Sequence, residues 1–357
     1  MGFKCGIVGL PNVGKSTLFN ALTTSKKAQA ENFPFCTIDP NVGIVSVPDE
    51  RLNKISAISK SKKKINAAIT FVDIAGLVKG ASKGEGLGNK FLSHVREVAT
   101  IIHLTRCFDS EKIQNVNKNV DPIRDLEIIE TEILLSDLES LQKRLEKGNK
   151  KKLEKDELDF LEECKKLING GKKLDELKKK YSNNLIKKSA LLSFKPRIIV
   201  CNVDEKSLPN GNNYSDSCKK KFPNENIIIV CADIEDQIMG LQLKDRKDFM
   251  LESGIKSTGL DNLIKTGYAT LGLSTFFTSG PEESRAWTIE KSSKAVDAAG
   301  VIHTDFKKKF IRAETVTHED FIRYKGFNEC KNAGKLRLEG KDYVVNDGDV
   351  MYFRVGS

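Results

Sequence analysis

A glycine-rich run near the amino end has the residue types and spacing of a phosphate-binding loop. Residues 9–16 match the pattern G-x-x-x-x-G-K-[ST], with Gly14, Lys15 and Ser16 at its end, between a strand-like and a helix-like run. In such a loop backbone N–H groups surround the phosphates, the lysine reaches the β- and γ-phosphates, and the hydroxyl binds Mg²⁺. We therefore predict that a purine nucleoside triphosphate is bound by Asn12, Val13, Gly14, Lys15, Ser16 and Thr17.

Two further segments predict the rest of the magnesium and γ-phosphate site. Asp73 ends an apolar run and starts a D-x-x-G pattern that closes at Gly76. In this pattern the aspartate holds Mg²⁺, directly or through water, and the glycine N–H contacts the γ-phosphate. Thr37, between the two motifs, offers a second magnesium hydroxyl from a mobile switch. The predicted metal ligands are Ser16, Thr37 and Asp73, and the predicted catalytic residues are Lys15, Thr37 and Gly76.

The group that orients the attacking water is not evident from the motifs. Leu77 stands where Ras-like enzymes carry a glutamine that orients the water, and a leucine side chain has no hydrogen-bonding atom. Another group of the chain, or a partner, must therefore orient it. The glycine-rich run at 80–88 is either a switch that orders when nucleotide binds or a disordered loop.

Base selection is predicted at Asn202, Val203 and Glu205, directly after an apolar strand-like run. The usual guanine-reading pattern is N-K-x-D, in which the aspartate accepts hydrogen bonds from guanine. Here valine replaces the lysine, and the longer glutamate replaces the aspartate. Losing a charge-assisted contact costs roughly 1.5–3 kcal/mol per hydrogen bond. We therefore predict that ATP is accepted at least as well as GTP, with Cys231 and Ala232 adding backbone contacts to the base.

A residual guanine preference stays open as an alternative, because a shift of register would make Asp204 the reader. That shift would misplace Asn202.

The charge distribution suggests a polyanionic partner. The chain of 357 residues has a formal net charge of +10, and residues 143–188 hold sixteen Lys/Arg against nine Asp/Glu. This excess is either a solvated helical surface or a basic arm for a polyanion such as RNA. The segment holds only two aromatic residues, Phe160 and Tyr181, which argues against single-strand base stacking. We expect no DNA or membrane partner, and a monomer.

Composition indicates a cytoplasmic protein with reduced cysteines. No apolar run approaches the roughly 20 residues that span a bilayer, and the first residues lack the zones of a secretory signal. The eight cysteines show no Cys-x-x-Cys pair, so we interpret them as buried thiols. His94 and His103 lie in apolar contexts and are predicted to be packing residues; His303 is predicted to be structural.

The pattern of apolar runs predicts an α/β fold with two added units. Short β-branched runs recur at 3–10, 69–74, 100–104, 196–201 and 227–230, as in the central strands of an α/β sheet. Leucine and isoleucine recur at helical spacing over 125–169, with a break at Gly148, which favours an antiparallel pair of helices. After about residue 273, runs at 287–289, 310–313, 336–338, 343–345 and 350–355 predict short strands, and 292–299 a helix. The predicted units are a P-loop domain (1–124 and 196–274), a helical insertion (125–195) and a C-terminal module (275–357).

Several strings together resemble the Obg-like ATPases, also called the YchF family. The resemblance rests on the phosphate-binding loop with Thr17, on residues 32–41 and 73–89, and on the reader at 202–205. It continues at 280–281, 285–289, 302–306 and 347–349, and so covers essentially the whole chain. The family implies an OBG-type P-loop domain of the TRAFAC class, a coiled-coil insertion and a C-terminal TGS module of ubiquitin-like β-grasp shape. It also implies ATP hydrolysis in preference to GTP, and association with ribosomes or translation factors; the partner we expect is the large ribosomal subunit or its RNA. Asn12 occupies a loop position at which some relatives bind K⁺, so potassium is a candidate second cofactor beside Mg²⁺, and comparing the activity in KCl and in NaCl tests this hypothesis.

One position departs from the family pattern. Many members carry a histidine in the loop after the Arg-Cys-Phe segment, to which the water-positioning role is assigned, and Asn115 stands there in this chain. An asparagine hydrogen-bonds a water but does not act as a base near neutral pH. We therefore predict slow intrinsic turnover, which Asn115→His would raise under saturating ATP.

The predicted function is that of a magnesium-dependent ATPase switch associated with translation. Two alternatives stay open, a true GTPase and a nucleotide-gated binding module with negligible hydrolysis.

Overall fold

The computed structural model describes residues 3–24, 41–75, 87–111, 113, 119–148, 154–252 and 257–356. The predicted Thr37, Gly76, Leu77 and Asn115, and most of the glycine-rich run, lie outside these residues. Among the described helices, none is both long enough and apolar enough to cross a bilayer.

The first sheet contains the apolar runs predicted as central strands. Its strands are β1 (Lys4–Val8), β2 (Val42–Ser46), β4 (Ala68–Asp73), β5 (Thr100–Cys107), β6 (Arg197–Val203) and β7 (Asn226–Val230). Their order is β2-β4-β1-β5-β6-β7, and every pair is parallel except β2 with β4. The prediction of a parallel α/β sheet is confirmed, while the edge strand β2 was not predicted. Because parallel strands end at the same edge, the residues after β1, β4, β5, β6 and β7 converge there.

Helices cover this sheet and separate its strands along the chain. They are α1 (Lys15–Thr24), α2 (Glu50–Ser59), α3 (Leu87–Glu97), α8 (Asn213–Lys221), α9 (Ala232–Gly240), α10 (Leu243–Glu252) and α11 (Gly259–Thr270). The helix-like run that follows the phosphate-binding loop is confirmed as α1, whose Leu18 and Leu22 are buried in the main core.

The helical insertion, residues 122–194, has a core of its own. It comprises α4 (Pro122–Gly148), α5 (Lys155–Asn169), α6 (Leu177–Lys180), α7 (Asn183–Ser189) and a 3-10 turn at Leu192–Phe194. Leu141 of α4 packs with Phe160 and Leu161 of α5 in a buried cluster. The structure differs from a bare helical pair, because the chain after α5 returns along α4. Asp137 on α4 accepts hydrogen bonds from the backbone N–H groups of Leu192 and Ser193, each at 2.8 Å, and fixes this return.

The C-terminal module, residues 273–356, is built on a second sheet of order β11-β10-β12-β8-β9-β3. Its strands are β3 (Lys63–Ile65), β8 (Leu273–Ser279), β9 (Glu283–Glu290), β10 (Phe310–Val316), β11 (Arg337–Glu339) and β12 (Val350–Val355). Its helices are α12 (Ala295–Ile302), α13 (Thr304–Lys308), α14 (His318–Tyr324) and α15 (Phe327–Asn332).

Four details of the predicted module are corrected by this sheet. Strand β8 begins at Leu273, so a boundary at 275 would divide it. The nucleotide domain contributes an edge strand, because β3 pairs with β9. The run 343–345 is not a strand, since Val344 forms only an isolated bridge with Lys294. The helix predicted at 292–299 begins at Ala295 instead, since Ser292 adopts a φ of 66°.

Helix α2 joins the two sheets into a continuous core. Its Leu52 and Ile55 are buried in the same cluster as Phe277 of β8. The guanidinium of Arg51 lies 5.2 Å from the Phe277 ring centroid and donates a 2.6 Å hydrogen bond to Asp347. The C-terminal module is therefore packed against the nucleotide domain rather than tethered to it.

The buried carboxyl of Glu235, a residue of α9, makes the free energy of unfolding depend on pH. Glu235 is 4% exposed; its Oε1 accepts a 2.5 Å hydrogen bond from the Gly259 N–H, and its Oε2 has no partner among the described residues. Burial raises the pKa of Glu235 from 4.5 to about 7. Between these values the folded chain binds more protons than the unfolded chain, so stability falls as pH rises and levels off above about 7.

Glu235→Gln is expected to remove this pH dependence. The variant should be more stable than the wild type at pH 8, by about 2 kcal/mol, because no carboxylate has to be buried. Buried His103, whose pKa burial lowers to about 3, gives the opposite slope, but it does so in both proteins and cancels in the difference. Denaturant unfolding at pH 5 and at pH 8 measures the effect. The exposed neighbour Asp236→Asn is the control, and an identical pH slope for wild type and Glu235→Gln would contradict the account.

Candidate nucleotide site

The phosphate-binding loop connects β1 to α1 at the edge where the parallel strands end. Gly14 has a φ of +92°, and a Cβ there would lie 2.3 Å from Nδ2 of Asn202. Only glycine fits both the backbone and the space. The loop opens into a cavity of about 770 Å³. The predicted residues that line this cavity are Asn12, Gly14, Lys15, Ser16, Thr17, Asn202, Val203, Glu205 and Cys231.

Lys15 and Asp73 face each other beside the loop. The Lys15 ammonium forms a close ion pair with Oδ1 of Asp73, and the two side chains are only 14% and 17% exposed. Strand pairing explains this contact, because β4 lies next to β1 and both end at this edge. The two charged groups predicted for the phosphates and the metal are thus together.

Asn202 links the loop to the segment after β7. Its Nδ2 donates a 2.9 Å hydrogen bond to the Val13 carbonyl, and its Oδ1 accepts a 2.9 Å hydrogen bond from the Ala232 N–H. The side chain is 4% exposed. Sequence reasoning assigned Asn202 and the Ala232 N–H to the base, but here the two bind each other. The Val13 side chain is buried, so this residue acts through its backbone.

The wall of the cavity beyond Asn202 carries the candidate base reader. The Val203 side chain is buried in a cluster with Phe222 and therefore offers the base little surface. Asp204 accepts a hydrogen bond from the Ser207 hydroxyl. Glu205 is exposed, lines the cavity and lies close enough to Cys231 for its charge to act on that thiol. Asp204 is exposed and lines the same cavity, and its bond to Ser207 is what sets it apart from Glu205.

A third wall, formed by Phe108, Asp109 and Ser110 after β5, was missed from sequence. Arg106 is 3% exposed and holds this wall by donating to the carbonyls of Phe108, Ser110 and Ile113. No short motif marks these residues. The position of β5 between β1 and β6 is the signal, because ligands of parallel sheets bind at the carboxyl ends of central strands.

His94 and His103 differ in their surroundings. His103 is buried in β5, as predicted. His94 is exposed on α3, so its prediction as a packing residue is wrong; Phe91 and Val95 of that helix are buried. His94 instead lines a pocket that it shares with Lys15 and Asp73. His303 caps α13, where its Nδ1 accepts from the Asp305 N–H.

Two family models match the chain in the regions of the two sheets. Residues 4–136 match a family described as "50S ribosome-binding GTPase". Residues 273–356 match the model named YchF-GTPase_C, described as a "Protein of unknown function (DUF933)".

Curated relatives match over nearly the whole chain. The chain is 48% identical over 364 residues to the "Ribosome-binding ATPase YchF" of Bacillus subtilis, covering 99% of each protein. It is 47% identical over 361 residues to the protein of that name from Escherichia coli O157:H7, again with 99% of each covered. The chain belongs to the YchF family.

A solved YchF structure agrees with this membership. The structure of the Schizosaccharomyces pombe YchF GTPase superposes with a TM-score of 0.90 at 39% identity, and the match covers 99% of this chain and 98% of that one. The superposition spans both sheets and the helical insertion, so the arrangement of these units is shared with a YchF protein. The predicted resemblance is confirmed.

The residues of this YchF chain fit a magnesium ion. Mg²⁺ prefers oxygen ligands and is usually held by one or two protein groups together with substrate phosphates. The Ser16 hydroxyl is exposed in the cavity, and the Asp73 carboxylate lies against Lys15 at its side. Both offer hard oxygen atoms next to the phosphate-binding loop, and the assignment of Ser16 and Asp73 as metal ligands stays a prediction.

Proposed function

We propose that this chain is a magnesium-dependent ATPase that hydrolyses ATP to ADP and phosphate, and GTP less efficiently. The observation that carries the proposal is the pairing of the Gly14–Lys15 loop with Asp73 on one side and the Asn202–Glu205 wall on the other. The names of its relatives, ribosome-binding ATPases, support the same activity.

The chemistry is mostly electrostatic. Lys15, released from Asp73, stabilises the negative charge that develops on the transferred phosphoryl group, and the loop N–H groups hold the phosphates in place. Ser16, Asp73 and, by the family pattern, Thr37 would hold Mg²⁺, which neutralises phosphate charge when bound. Gly76 would contact the γ-phosphate. We further propose that K⁺ bound at Asn12 stabilises the same developing negative charge.

The base preference is tested by restoring the guanine-reading pattern. Glu205→Asp with Val203→Lys is expected to shift the ratio of GTP to ATP affinity toward GTP by at least about tenfold, equivalent to 1.4 kcal/mol. The shorter carboxylate can then accept from guanine N1–H and the 2-amino group. Competition binding of both nucleotides measures the ratio.

Asp204→Asn is the matched control for this change. Asp204 already bonds Ser207, and so its replacement should leave the ratio unaltered. If the ratio of GTP to ATP affinity changes in Asp204→Asn and not in the Glu205 variant, Asp204 reads the base in the shifted register.

We further propose that ribosomal RNA or protein of the large subunit is the macromolecular partner, which places the protein's action in the cytoplasm. The helical insertion carries exposed lysines, of which Lys173, Lys178 and Lys180 are paired with carboxylates. No ion pair within the described residues neutralises Lys172, Lys179, Lys187 and Lys188. These four, together with the C-terminal module as a TGS unit, would contact the ribosome. A monomer is the proposed state.

Turnover with and without ribosomes separates the alternatives. The proposal predicts phosphate release from ATP that ribosomes modulate, and ribosome binding that depends on the nucleotide. Replacing Lys172, Lys179, Lys187 and Lys188 with glutamine should weaken binding and flatten its salt dependence. ATP-dependent binding without phosphate release in either condition would favour a nucleotide-gated binding module, and release from GTP alone a true GTPase.

A further inference from the structure

Three cysteines that are far apart in the sequence meet behind the base wall. Cys107 ends β5, Cys201 lies in β6 and Cys218 lies in α8, and each is 0% exposed. Their Sγ atoms lie within 4.8 Å of one another, and no histidine or carboxylate among the described residues joins them. Neither nucleotide binding nor hydrolysis, as proposed above, uses these thiols.

The fold holds the three thiols in place. In the pairing of β5 with β6, Thr105 lies opposite Cys201 and Cys107 opposite Val203, so both cysteines point to the face that α8 covers. Asn212 caps α8 and also donates a 2.7 Å hydrogen bond to the Cys107 carbonyl. This contact fixes α8, and with it Cys218, against the end of β5.

We propose that Cys107, Cys201 and Cys218 together bind one Cu(I) ion through three sulfur atoms. Thiolates are soft ligands that select ions such as Cu(I) and Zn²⁺, but structural zinc takes four ligands, and three converge here in the part of the chain that the structure describes. A metal about 2.3 Å from three sulfurs in one plane holds them about 4 Å apart, within reach of small side-chain rotations. Apolar neighbours such as Ile199 and Phe222 exclude water from the site.

Binding requires that the thiols lose their protons. One Cu(I) replaces three S–H protons, which pass to solvent, and the charge of the site changes from zero to −2. Copper binding should accordingly weaken as the pH falls.

The ion would connect elements that position the nucleotide. Cys107 directly precedes Phe108, and Cys201 directly precedes Asn202, and both of these neighbours line the cavity. A metal shared by β5, β6 and α8 would tie the two strand ends together.

Titration of the reduced, full-length protein with Cu(I), without oxygen and against the chromophoric chelator bathocuproine disulfonate, tests the proposal. The wild type should retain one equivalent of copper, and its thermal midpoint should rise when copper is added. Cys218→Ala should lose that equivalent. Cys164→Ala, which removes an equally buried cysteine from α5, should keep it.

Cys107→Ala and Cys201→Ala, checked for folding by circular dichroism, keep the test decisive if Cys218→Ala does not fold. Each should lose the equivalent while its helical signal remains. The proposal is overturned if the folded wild type retains no copper against the chelator. It is also overturned if Cys107→Ala, Cys201→Ala or Cys218→Ala folds and retains the full equivalent of copper, or if Cys164→Ala loses the equivalent as they do.

Discussion

Lys15→Met is expected to lower ATP turnover at least about a hundredfold, because removing one preorganised donor from a developing charge typically costs that much. Methionine keeps the length of the side chain but cannot neutralise phosphate. The affinity for ATP should fall as well, since charge-assisted hydrogen bonds to the phosphates contribute about 1.5–3 kcal/mol each. Phosphate release at saturating ATP, together with direct nucleotide binding, measures both effects.

The ion pair between Lys15 and Asp73 supplies an independent check on this variant. Without nucleotide, Lys15→Met should destabilise the chain, because Asp73 loses its partner in a largely buried place. Adding Asp73→Asn should recover the stability but not the turnover. Lys54→Met, which removes the same charge from an exposed position on α2, should change neither. Turnover of Lys15→Met within twofold of the wild type would contradict the proposed role.

Asn202→Ala is expected to weaken the binding of ATP and GTP by the same factor, at least about tenfold, and to destabilise the fold. The substitution leaves the Val13 carbonyl and the Ala232 N–H without their partner, and each buried unsatisfied group costs about 1–3 kcal/mol. The ratio of the two affinities should stay constant, because Asn202 positions the loop and does not read the base. Denaturant unfolding and competition binding measure the two effects.

Asn202→Asp removes one of the two hydrogen bonds of Asn202 and keeps the other. The aspartate still accepts from Ala232, but it places a carboxylate oxygen against the Val13 carbonyl, so the binding loss should persist. Asn226→Ala, at the exposed start of β7, is the matched control and should change stability by no more than about 0.5 kcal/mol. A change in the ratio of ATP to GTP affinity on replacing Asn202 would contradict this account and show that Asn202 contacts the base.

The phosphate-binding loop, the strand before it and the helix after it were predictable because they are neighbours in the sequence. A phosphate-binding loop needs a strand before it and a helix after it, and both are visible around Gly14 and Lys15. Asp73 was predictable for a similar reason, as the end of an apolar strand. The β-branched runs likewise predicted β1, β4, β5, β6 and β7, and the clearest of these runs, β1, β5 and β6, are buried on both faces.

Contacts between distant segments were not predictable. Asn202 was identified, but its partner Val13 is 189 positions away and becomes a neighbour only through the strand order. The wall at Phe108 and the convergence of Cys201 with Cys218 depend on the same order. The strand predicted at 343–345 fails for a related reason, because β propensity forms a strand only where a continuous partner strand is available.

Isothermal titration calorimetry of the full-length chain with ATP and GTP, in the presence of Mg²⁺, tests the central claim most directly. The account predicts a saturating heat for ATP, weaker binding of GTP, and loss of both in Lys15→Met. Tight binding of GTP alone would contradict the assignment to adenine. The absence of heat for both triphosphates would contradict the nucleotide site itself.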